Sequence, residues 1–317
     1  YHCSGRYLCN SYIDFDLDEA KIIVDDAKNV VGIEKRVRED GEKLIEDFMI
    51  AANETVATHI FNMNLPFMYR VHDVPNPDKI DKFIRMVSLL GYKLVGKVKD
   101  LTPINMQKLL DQLKDVPQYK TLSSMLLRSM RKAVYQPENI GHFGLGSKCY
   151  THFTSPIRRY PDLEVHRLLR KYLYENQINQ ETIDYYNANL DLITTQASER
   201  EQAAVDAERE VMDMKMAEYM ESHIGEEFEG VINGVENFGF FVELDNMIEG
   251  LVHVSTLKGD HYNYIEELLC LIGQNTKKRY TMGDRVLVKC VGASKEAHTI
   301  DFELVGDKND RDKKQKS

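Results

Sequence analysis

The stretch EEFEGVINGVENFGFFVELDNMIEGLVHVS, residues 226–255, alternates apolar and polar residues with a period of two. Asn-Phe-Gly and Asp-Asn sequences interrupt the alternation, as turns do between antiparallel strands. RVLVKCVGA at 285–293 and TIDFEL at 299–304 predict two further strands, and YIEELLCLIG at 264–273 predicts a short helical insert. Five strands with a helical element after the third predict an OB-type β-barrel.

Upstream of this β-rich stretch the chain is mostly helical. Between residues 40 and 62 apolar side chains, Ile45, Phe48 and Ile60 among them, recur at helical spacing. The other predicted segments are strands at 20–24 and within 68–77, and helices at 76–90, 102–114, 119–135, 181–195 and 196–222. Residues 136–160 hold three Gly and two Pro and predict a long structured loop, a kind of segment that often carries function.

These patterns define an α+β fold class. A helical and strand-containing portion is predicted at residues 1–223, and an all-β five-stranded OB barrel at 224–306. The polar tail at 307–317 is expected to be disordered. The boundary is placed where the helical pattern gives way to the alternation that begins after Gly225.

The composition excludes several classes of protein. The 317 residues carry 41 Lys and Arg against 51 Asp and Glu, a formal net charge of −10, which argues against a basic, histone-like partner of nucleic acids. No apolar run reaches the ~18 residues that a membrane-spanning helix needs. The five Cys are scattered and form no CxxC, so neither a disulfide framework nor a zinc knuckle is expected, and a cytoplasmic location fits.

The charge is unevenly distributed along the chain. Residues 116–173 contain ten basic and three acidic residues, and residues 199–229 contain eleven acidic and three basic ones. A basic loop and helix within an acidic chain can mark a site for phosphates. The alternative is that both runs are solvated helix faces with ordinary ion pairs between successive turns.

The sequence TSPIRRYPDLEVHRLL, residues 154–169, strengthens the phosphate interpretation. Ser155 before Pro156 is typical of a helix start, and Pro161 is expected to break or kink that helix one turn later. Arg158 and Arg159 would then lie at a helix start, where backbone N–H groups and guanidinium groups suit an anionic oxygen. An arginine at a scissile phosphate stabilises the charge that develops in the transition state.

Several motifs together resemble the RNB catalytic domain of the ribonuclease II and ribonuclease R family, and the ribonuclease R branch more than the other. They are IDFDLDEAK at 13–21, KLIEDFMIAAN at 43–53, MYRVHDVP at 68–75, MLLRSMRKAVYQPENIGHFGLG at 125–146, HFTSPIRRYPDL at 152–163 and SEREQAAVDAEREV at 198–211. The resemblance implies a processive, hydrolytic 3′→5′ exoribonuclease. In that family, single-stranded RNA, or structured RNA with a 3′ overhang, is threaded to a buried Mg²⁺ site and leaves as nucleoside 5′-monophosphates.

The resemblance also assigns roles to individual residues. Its catalytic arginine falls on Arg158, with Arg159 as the neighbouring candidate, and the glutamate near the RNA 3′ end falls on Glu208. Without the resemblance, Glu208 would be read as a solvated helix carboxylate. The predicted RNA contacts in this portion are Glu46, Lys148, His152 and Arg167.

One part of the family pattern is missing from the sequence. The family's metal site is a cluster of four Asp in a segment that precedes every motif quoted above, and no such cluster occurs here. The acidic residues Asp14, Asp16, Asp18 and Glu19 belong to a different motif of the family. We therefore predict no metal site in this chain, expect Mg²⁺ only in a longer protein, and expect the chain alone to be unable to hydrolyse RNA.

The barrel strands separate into two faces. Phe240, Val242 and Leu244 share one face and are expected to fill the barrel. The opposite face is predicted to carry an aromatic and basic strip of Phe238, Phe241, His253 and Lys289. NFGFFVEL and EGLVHVS resemble the S1-type OB repeat of the largest small-subunit ribosomal protein, in which the matching Phe, Phe and His lie on the RNA face. The alternative is that the two phenylalanines are ordinary core or interface residues.

Two functions remain open from the sequence alone. The first is the C-terminal part of an exoribonuclease. The second is a non-catalytic RNA-binding or ribosome-associated module on an RNB scaffold, with the ribosome or ribosomal RNA as partner. Neither function involves a membrane. An acidic metal-binding cluster upstream would favour the enzyme.

Overall fold

The computed structural model describes Ile13, Phe15, residues 18–89, Gly91, and residues 102–116 and 119–307. The predicted tail beyond Asp307 lies outside the described residues. So does most of the segment IDFDL, including Asp14 and Asp16.

The elements are numbered in chain order. The helices are α1 (Asp40–Asn62), α2 (Pro77–Leu89), α3 (Pro103–Leu113), α4 (Tyr119–Ser129), α5 (Tyr160–Leu169) and α6 (Gln180–Glu221). The strands are β1 (Glu19–Val24), β2 (Val30–Arg36), β3 (Tyr69–Val71), β4 (Val134–Gln136), β5 (Glu227–Glu236), β6 (Gly239–Leu244), β7 (Glu249–His253), β8 (Tyr262–Ile265), β9 (Cys270–Gly273), β10 (Arg279–Thr281), β11 (Arg285–Ser294) and β12 (Thr299–Asp307).

Helix α1 occupies the predicted range but turns a different face to the core. Ala57 and Ile60 are fully buried, whereas Ile45 and Phe48, which share the helical spacing of Ile60 in the sequence, are 58% and 53% exposed. Asn53 is also buried because its amide is satisfied: Nδ2 donates to the Tyr150 hydroxyl and Oδ1 accepts from the Phe153 amide, both at 2.9 Å. A polar residue can occupy a core position when its hydrogen bonds are made. The spacing of apolar residues in the sequence does not identify such a position.

The two helices predicted between residues 181 and 222 form one continuous helix. Asn179 caps α6 by accepting from the amide of Thr182 at 2.9 Å, and the helix then runs without Gly or Pro to Glu221. Its N-terminal half packs in the core of the helical portion, and its last turns pack against the barrel. The predicted break near residue 195 was wrong because no breaking residue is present there.

Strands β5, β6, β7, β11 and β12 form the predicted closed five-stranded barrel, and the α+β fold class is confirmed. Phe240, Val242 and Leu244 fill its interior as expected. The barrel core extends beyond the barrel strands, because Ile33 of β2 and Met220 of α6 are buried in the same cluster. The β1–β2 hairpin and the end of α6 therefore close one side of the barrel.

The insert after the third barrel strand is a sheet, and the predicted helix was wrong. Strands β8, β9 and β10 pair antiparallel, and only one 3₁₀ turn, Glu266–Leu268, interrupts this part of the chain. Leu269 ends that turn with φ of 44°, a left-handed conformation that cannot propagate a helix. Asp260 fixes the loop before β10 by accepting from the amides of Asn275 at 2.9 Å and Thr276 at 2.6 Å.

None of the helices in the described ranges combines the length and the apolar character that crossing a lipid bilayer requires.

Substitution of Gly250 in β7 tests the packing of the barrel. An added Cβ would lie 2.4 Å from the ring of the buried Phe302, so Gly250→Ala should lower the free energy of unfolding by about 1–3 kcal/mol. Gly306→Ala in β12 is the matched control, because a Cβ there meets no atom within 4 Å. Chemical denaturation measures both variants, and equal stability of the two would contradict this account of the barrel core.

Candidate functional site

A cavity of about 300 Å³ lies between α1, β3 and the loop that leads to α5. Helix α1 contributes both apolar and polar side chains to its lining, and β3 and the loop contribute mainly polar ones. The lining residues are Glu46, Met49, Ile50, Asn53, Arg70, Ala133, His142, Leu145, Tyr150, His152, Thr154 and Arg159. Two arginines and one glutamate are the charged members of this set.

The first cavity arginine, Arg159, is held by a buried carboxylate. Asp162 is completely buried, and its Oδ1 accepts both from Arg159 Nη2 and from the Ser155 amide, each at 2.7 Å. Helix α5 starts at Tyr160 with Pro161 in its first turn, and Arg159 occupies the N-cap position. Pro161 therefore begins a helix here and does not break one, since the first turn needs no N–H from it.

The second cavity arginine, Arg70, lies on the short strand β3. Its guanidinium forms an ion pair with Glu201 of α6 and stacks over the ring of Tyr135 of β4, 4.6 Å from the ring centroid. Its side chain is only 14% exposed. The pairing of β3 with β4 and the packing of α6 thus fix this second cation at the cavity wall.

The histidines of the cavity are uncharged at neutral pH. Burial, with Arg159 and Arg70 next in effect, lowers the pKa of His152 to about 2, and burial together with His72 and Arg70 lowers the pKa of His142 to about 3. His152 Nδ1 lies 2.6 Å from the Tyr135 hydroxyl. The interior of this cavity therefore disfavours additional positive charge, although the whole chain carries −10.

The cavity brings together three of the predicted site residues, namely Glu46, His152 and Arg159. Glu46 also forms an ion pair with Arg38. Arg158 is exposed and does not line the cavity, but its charge is among the weaker causes, after burial, of the lowered pKa of His152. The roles of these residues in chemistry stay predictions.

The other predicted residues of this portion lie elsewhere. Lys148 is exposed on the loop, and Glu208 is exposed on α6 outside the cavity lining. Arg167 pairs with Glu164 at 3.0 Å and lies over the ring of Tyr160, 5.7 Å from its centroid, also outside the lining. The basic run of residues 116–173 therefore contributes one arginine, Arg159, to the cavity.

Sequence reasoning missed Arg70 and its partner Glu201 as site residues. Arg70 was present in the motif MYRVHDVP, and in a three-residue strand it alternates with the buried Tyr69 and Val71. That alternation indicates that Arg70 points to the other face of the strand. Nothing local indicates Glu201, because the ion pair joins residues 131 positions apart.

The cavity lining does not fit a magnesium site. RNB exoribonucleases are generally metal-dependent, and Mg²⁺ is bound by carboxylate oxygens and water. Glu46 is the one carboxylate among the lining residues. Within the described ranges, no three His, Cys, Asp or Glu side chains are grouped closely enough to hold a metal ion.

The outer face of the barrel forms a second candidate site. Phe238 is 42% exposed and meets the ring of Phe241 edge to face at 6.1 Å, while His253 pairs with Gly239 across β6 and β7. These three predicted residues lie together. Lys289 does not join them closely, because it lies two strands away on β11, with Glu227 and Glu303 as its register partners.

A closed OB-type barrel with exposed aromatic side chains is typical of domains that bind single-stranded nucleic acids. The RNB domain family matches residues 7–175, and the S1 RNA binding domain family matches residues 221–304. The chain therefore belongs to the RNB domain family.

Proteins named ribonuclease R are similar to this chain over most of its length. Ribonuclease R 1 of Lactococcus lactis is 47% identical over 293 residues, which are 92% of this chain and 36% of that protein. Ribonuclease R of Escherichia coli is 39% identical over 300 residues, 92% of this chain and 37% of that protein. The structure of Mycoplasma genitalium RNase R in complex with ribose methylated single-stranded RNA has a TM-score of 0.90 at 31% identity, covering 96% of this chain and 48% of that one. The chain thus spans between a third and a half of these relatives.

His152 makes folding dependent on pH. Its pKa is lowered in the folded chain, so below about pH 6.5 the unfolded chain takes up a proton that the folded chain refuses, and stability falls as the pH decreases. Between pH 7 and about pH 5.5 this group should cost about 1 kcal/mol. Urea unfolding at both pH values should show that His152→Gln loses less stability than the unsubstituted chain. His253→Gln on the barrel is the control, and a loss equal to that of the unsubstituted chain in both variants would contradict the prediction.

Proposed function

We propose that this chain is the RNA-holding part of a 3′→5′ exoribonuclease that degrades single-stranded RNA, or structured RNA with a 3′ overhang. The observation that carries the proposal is the cavity lined by Arg70 and Arg159, each held by a carboxylate, together with neutral histidines. A guanidinium held in place offers several N–H donors to a phosphate group. An anionic polymer whose end enters this cavity would meet cations that are already oriented.

In this proposal the residues of the chain bind and orient RNA. Arg159 and Arg70 contact phosphate oxygens, and Arg158 and Glu208 act nearer the scissile bond once the rest of the protein is in place. Lys148 guides the approaching strand from outside the cavity, whereas Arg167, whose guanidinium is paired with Glu164, contributes less to binding than the sequence suggested. Mg²⁺, bound by carboxylates outside this chain, would supply the activated water, and nucleoside 5′-monophosphates would leave.

The barrel supplies a second contact with the same strand. Phe238 and Phe241 present ring faces and edges on which bases of any sequence can stack, and His253 lies beside them. We propose residues 224–306 as this S1-type domain and residues 1–223 as part of the RNB domain. Lys289 contributes less to binding than the sequence suggested, since its register neighbours are acidic. A cytoplasmic location is part of the proposal, and ribosomal RNA is a further candidate ligand.

Removal of one aromatic ring tests the barrel face. Phe241→Ala should weaken binding of a labelled single-stranded oligouridylate by about 1–3 kcal/mol, because stacked bases lose their platform. Fluorescence anisotropy measures the affinity over a range of salt concentrations, and the logarithm of the affinity should fall linearly with that of the salt concentration. Val305→Ala, at an exposed apolar position of β12, is the control. Equal affinity of the two variants would place the RNA elsewhere.

An activity assay separates the enzyme from its rival. The full-length source protein should release nucleoside 5′-monophosphates from single-stranded RNA in the presence of Mg²⁺, and the 317-residue chain should bind RNA without cleaving it. Thin-layer chromatography of labelled RNA shows both results. Release of mononucleotides by the chain alone would refute the predicted lack of metal ligands. Binding without cleavage by the full-length protein would favour the non-catalytic RNA-binding module.

A further inference from the structure

Each arginine of the cavity is bound by a carboxylate. Arg159 is bound by Asp162, which is completely buried, and Arg70 is bound by Glu201, whose side chain is 32% exposed. Neither carboxylate belongs to the cavity lining. The acids therefore bind the arginines without belonging to the set of side chains that a ligand in the cavity would contact.

Charges from both ion pairs affect the pKa values of the same two side chains, His152 and Tyr135. The pKa of His152 is lowered by burial and then by both arginines, and the raised pKa of Tyr135 results from burial and responds to all four charged groups. Two guanidinium groups in the lining of one cavity repel each other, and long side chains without partners would turn toward solvent. The carboxylates oppose that movement, and the ring of Tyr135 under Arg70 restricts it further.

We propose that Asp162 and Glu201 are positioning residues that hold Arg159 and Arg70 as a preorganised clamp for an RNA phosphate. This inference rests on the proposed function and adds the means by which the cavity cations are oriented. Preorganisation raises affinity because the ordering of the two side chains has already occurred in the free protein. Asp162 also accepts from the Ser155 amide, so it shapes the turn from which Arg159 projects.

The sign of a substitution effect distinguishes positioning from simple electrostatics. Asp162→Asn removes one negative charge near the cavity while an amide oxygen remains available to the Ser155 amide. If charge alone determined affinity, the loss of an acid would strengthen binding of a polyanion. If Asp162 positions Arg159, binding weakens although the net charge has become more favourable.

The chain contains a matched control on the same helix. Glu164 of α5 is also buried, at 7% side-chain exposure, and also pairs with an arginine three residues away, at 3.0 Å. Its partner Arg167 does not line the cavity. Glu164→Gln therefore makes the same charge change, in the same helix, without disturbing either cavity arginine.

The experiment measures affinity of the 317-residue chain for a labelled single-stranded oligouridylate at low salt. We expect Asp162→Asn and Glu201→Gln each to weaken binding about tenfold, and Glu164→Gln to leave it unchanged or slightly tighter. Circular dichroism checks that each variant is folded. If Asp162→Asn does not fold, Glu201→Gln decides the question, because Glu201 is partly exposed on a long helix.

The possible outcomes separate this inference from the proposed function. Lack of RNA binding by the unsubstituted chain at low salt would overturn the proposed function and this inference with it. Normal binding by the unsubstituted chain, with unchanged or tighter binding by both Asp162→Asn and Glu201→Gln, would overturn the positioning role alone. A loss of the same size in Glu164→Gln would do so too, since the effect would then follow any buried acid of α5.

Discussion

Helix α6 contributes buried side chains to two separate hydrophobic cores. Near its start, Tyr186 and Leu190 are buried in the core of the helical portion, and near its end Ala217 and Met220 are buried in the core of the barrel. Residues 203–211 between them are exposed on all sides. An α-helix rises 1.5 Å per residue, so Leu190 and Ala217 lie about 40 Å apart along the helix axis. The relation between the cavity and the aromatic face of the barrel, formed by Phe238 and Phe241, depends on this helix.

Polar contacts fix the end of that helix. Glu218 pairs with Lys215 at 2.8 Å and with Lys295 of the β11–β12 hairpin at 3.0 Å, and Lys215 also donates to the carbonyl of Lys28 in the β1–β2 turn at 2.9 Å. Ion pairs that water can reach contribute little stability singly. Burial of Met220 and Ile33 in the barrel core supplies most of the attachment, and the ion pairs select its geometry.

The sequence allowed the barrel to be predicted because its signal is local. Period-two alternation identified the five barrel strands, and the inward positions of Phe240 and Val242 follow from it. The same reasoning failed where tertiary context decides the structure. YIEELLCLIG has helix-forming residues, yet Tyr264 pairs with Leu271 in a sheet that the barrel supports. Asn53 is buried by bonds to residues about 100 positions away.

The candidate site was also predictable only in part, because some of its residues are selected by tertiary contacts. The motif TSPIRRY directed attention to two adjacent arginines, but which of them enters the cavity depends on Asp162, whose carboxylate binds Arg159 and the turn before it. Arg158 is exposed, and no carboxylate of the described residues anchors its side chain. Adjacent residues in a turn project in different directions, so spacing in the sequence cannot rank them.

The net charge of the whole chain does not indicate the local charge inside the cavity. The chain totals −10, yet burial and the nearby cations Arg159 and Arg70 lower the pKa of His152 to about 2. Acids on solvated surfaces are screened within about 8–10 Å, whereas buried guanidinium groups act at short range through a weakly polarisable interior. An RNA end inside the cavity would therefore experience Arg70 and Arg159 far more strongly than the distant surface acids. The two acids in contact with those arginines are Asp162 and Glu201. They orient the guanidinium groups and offset only part of their positive charge.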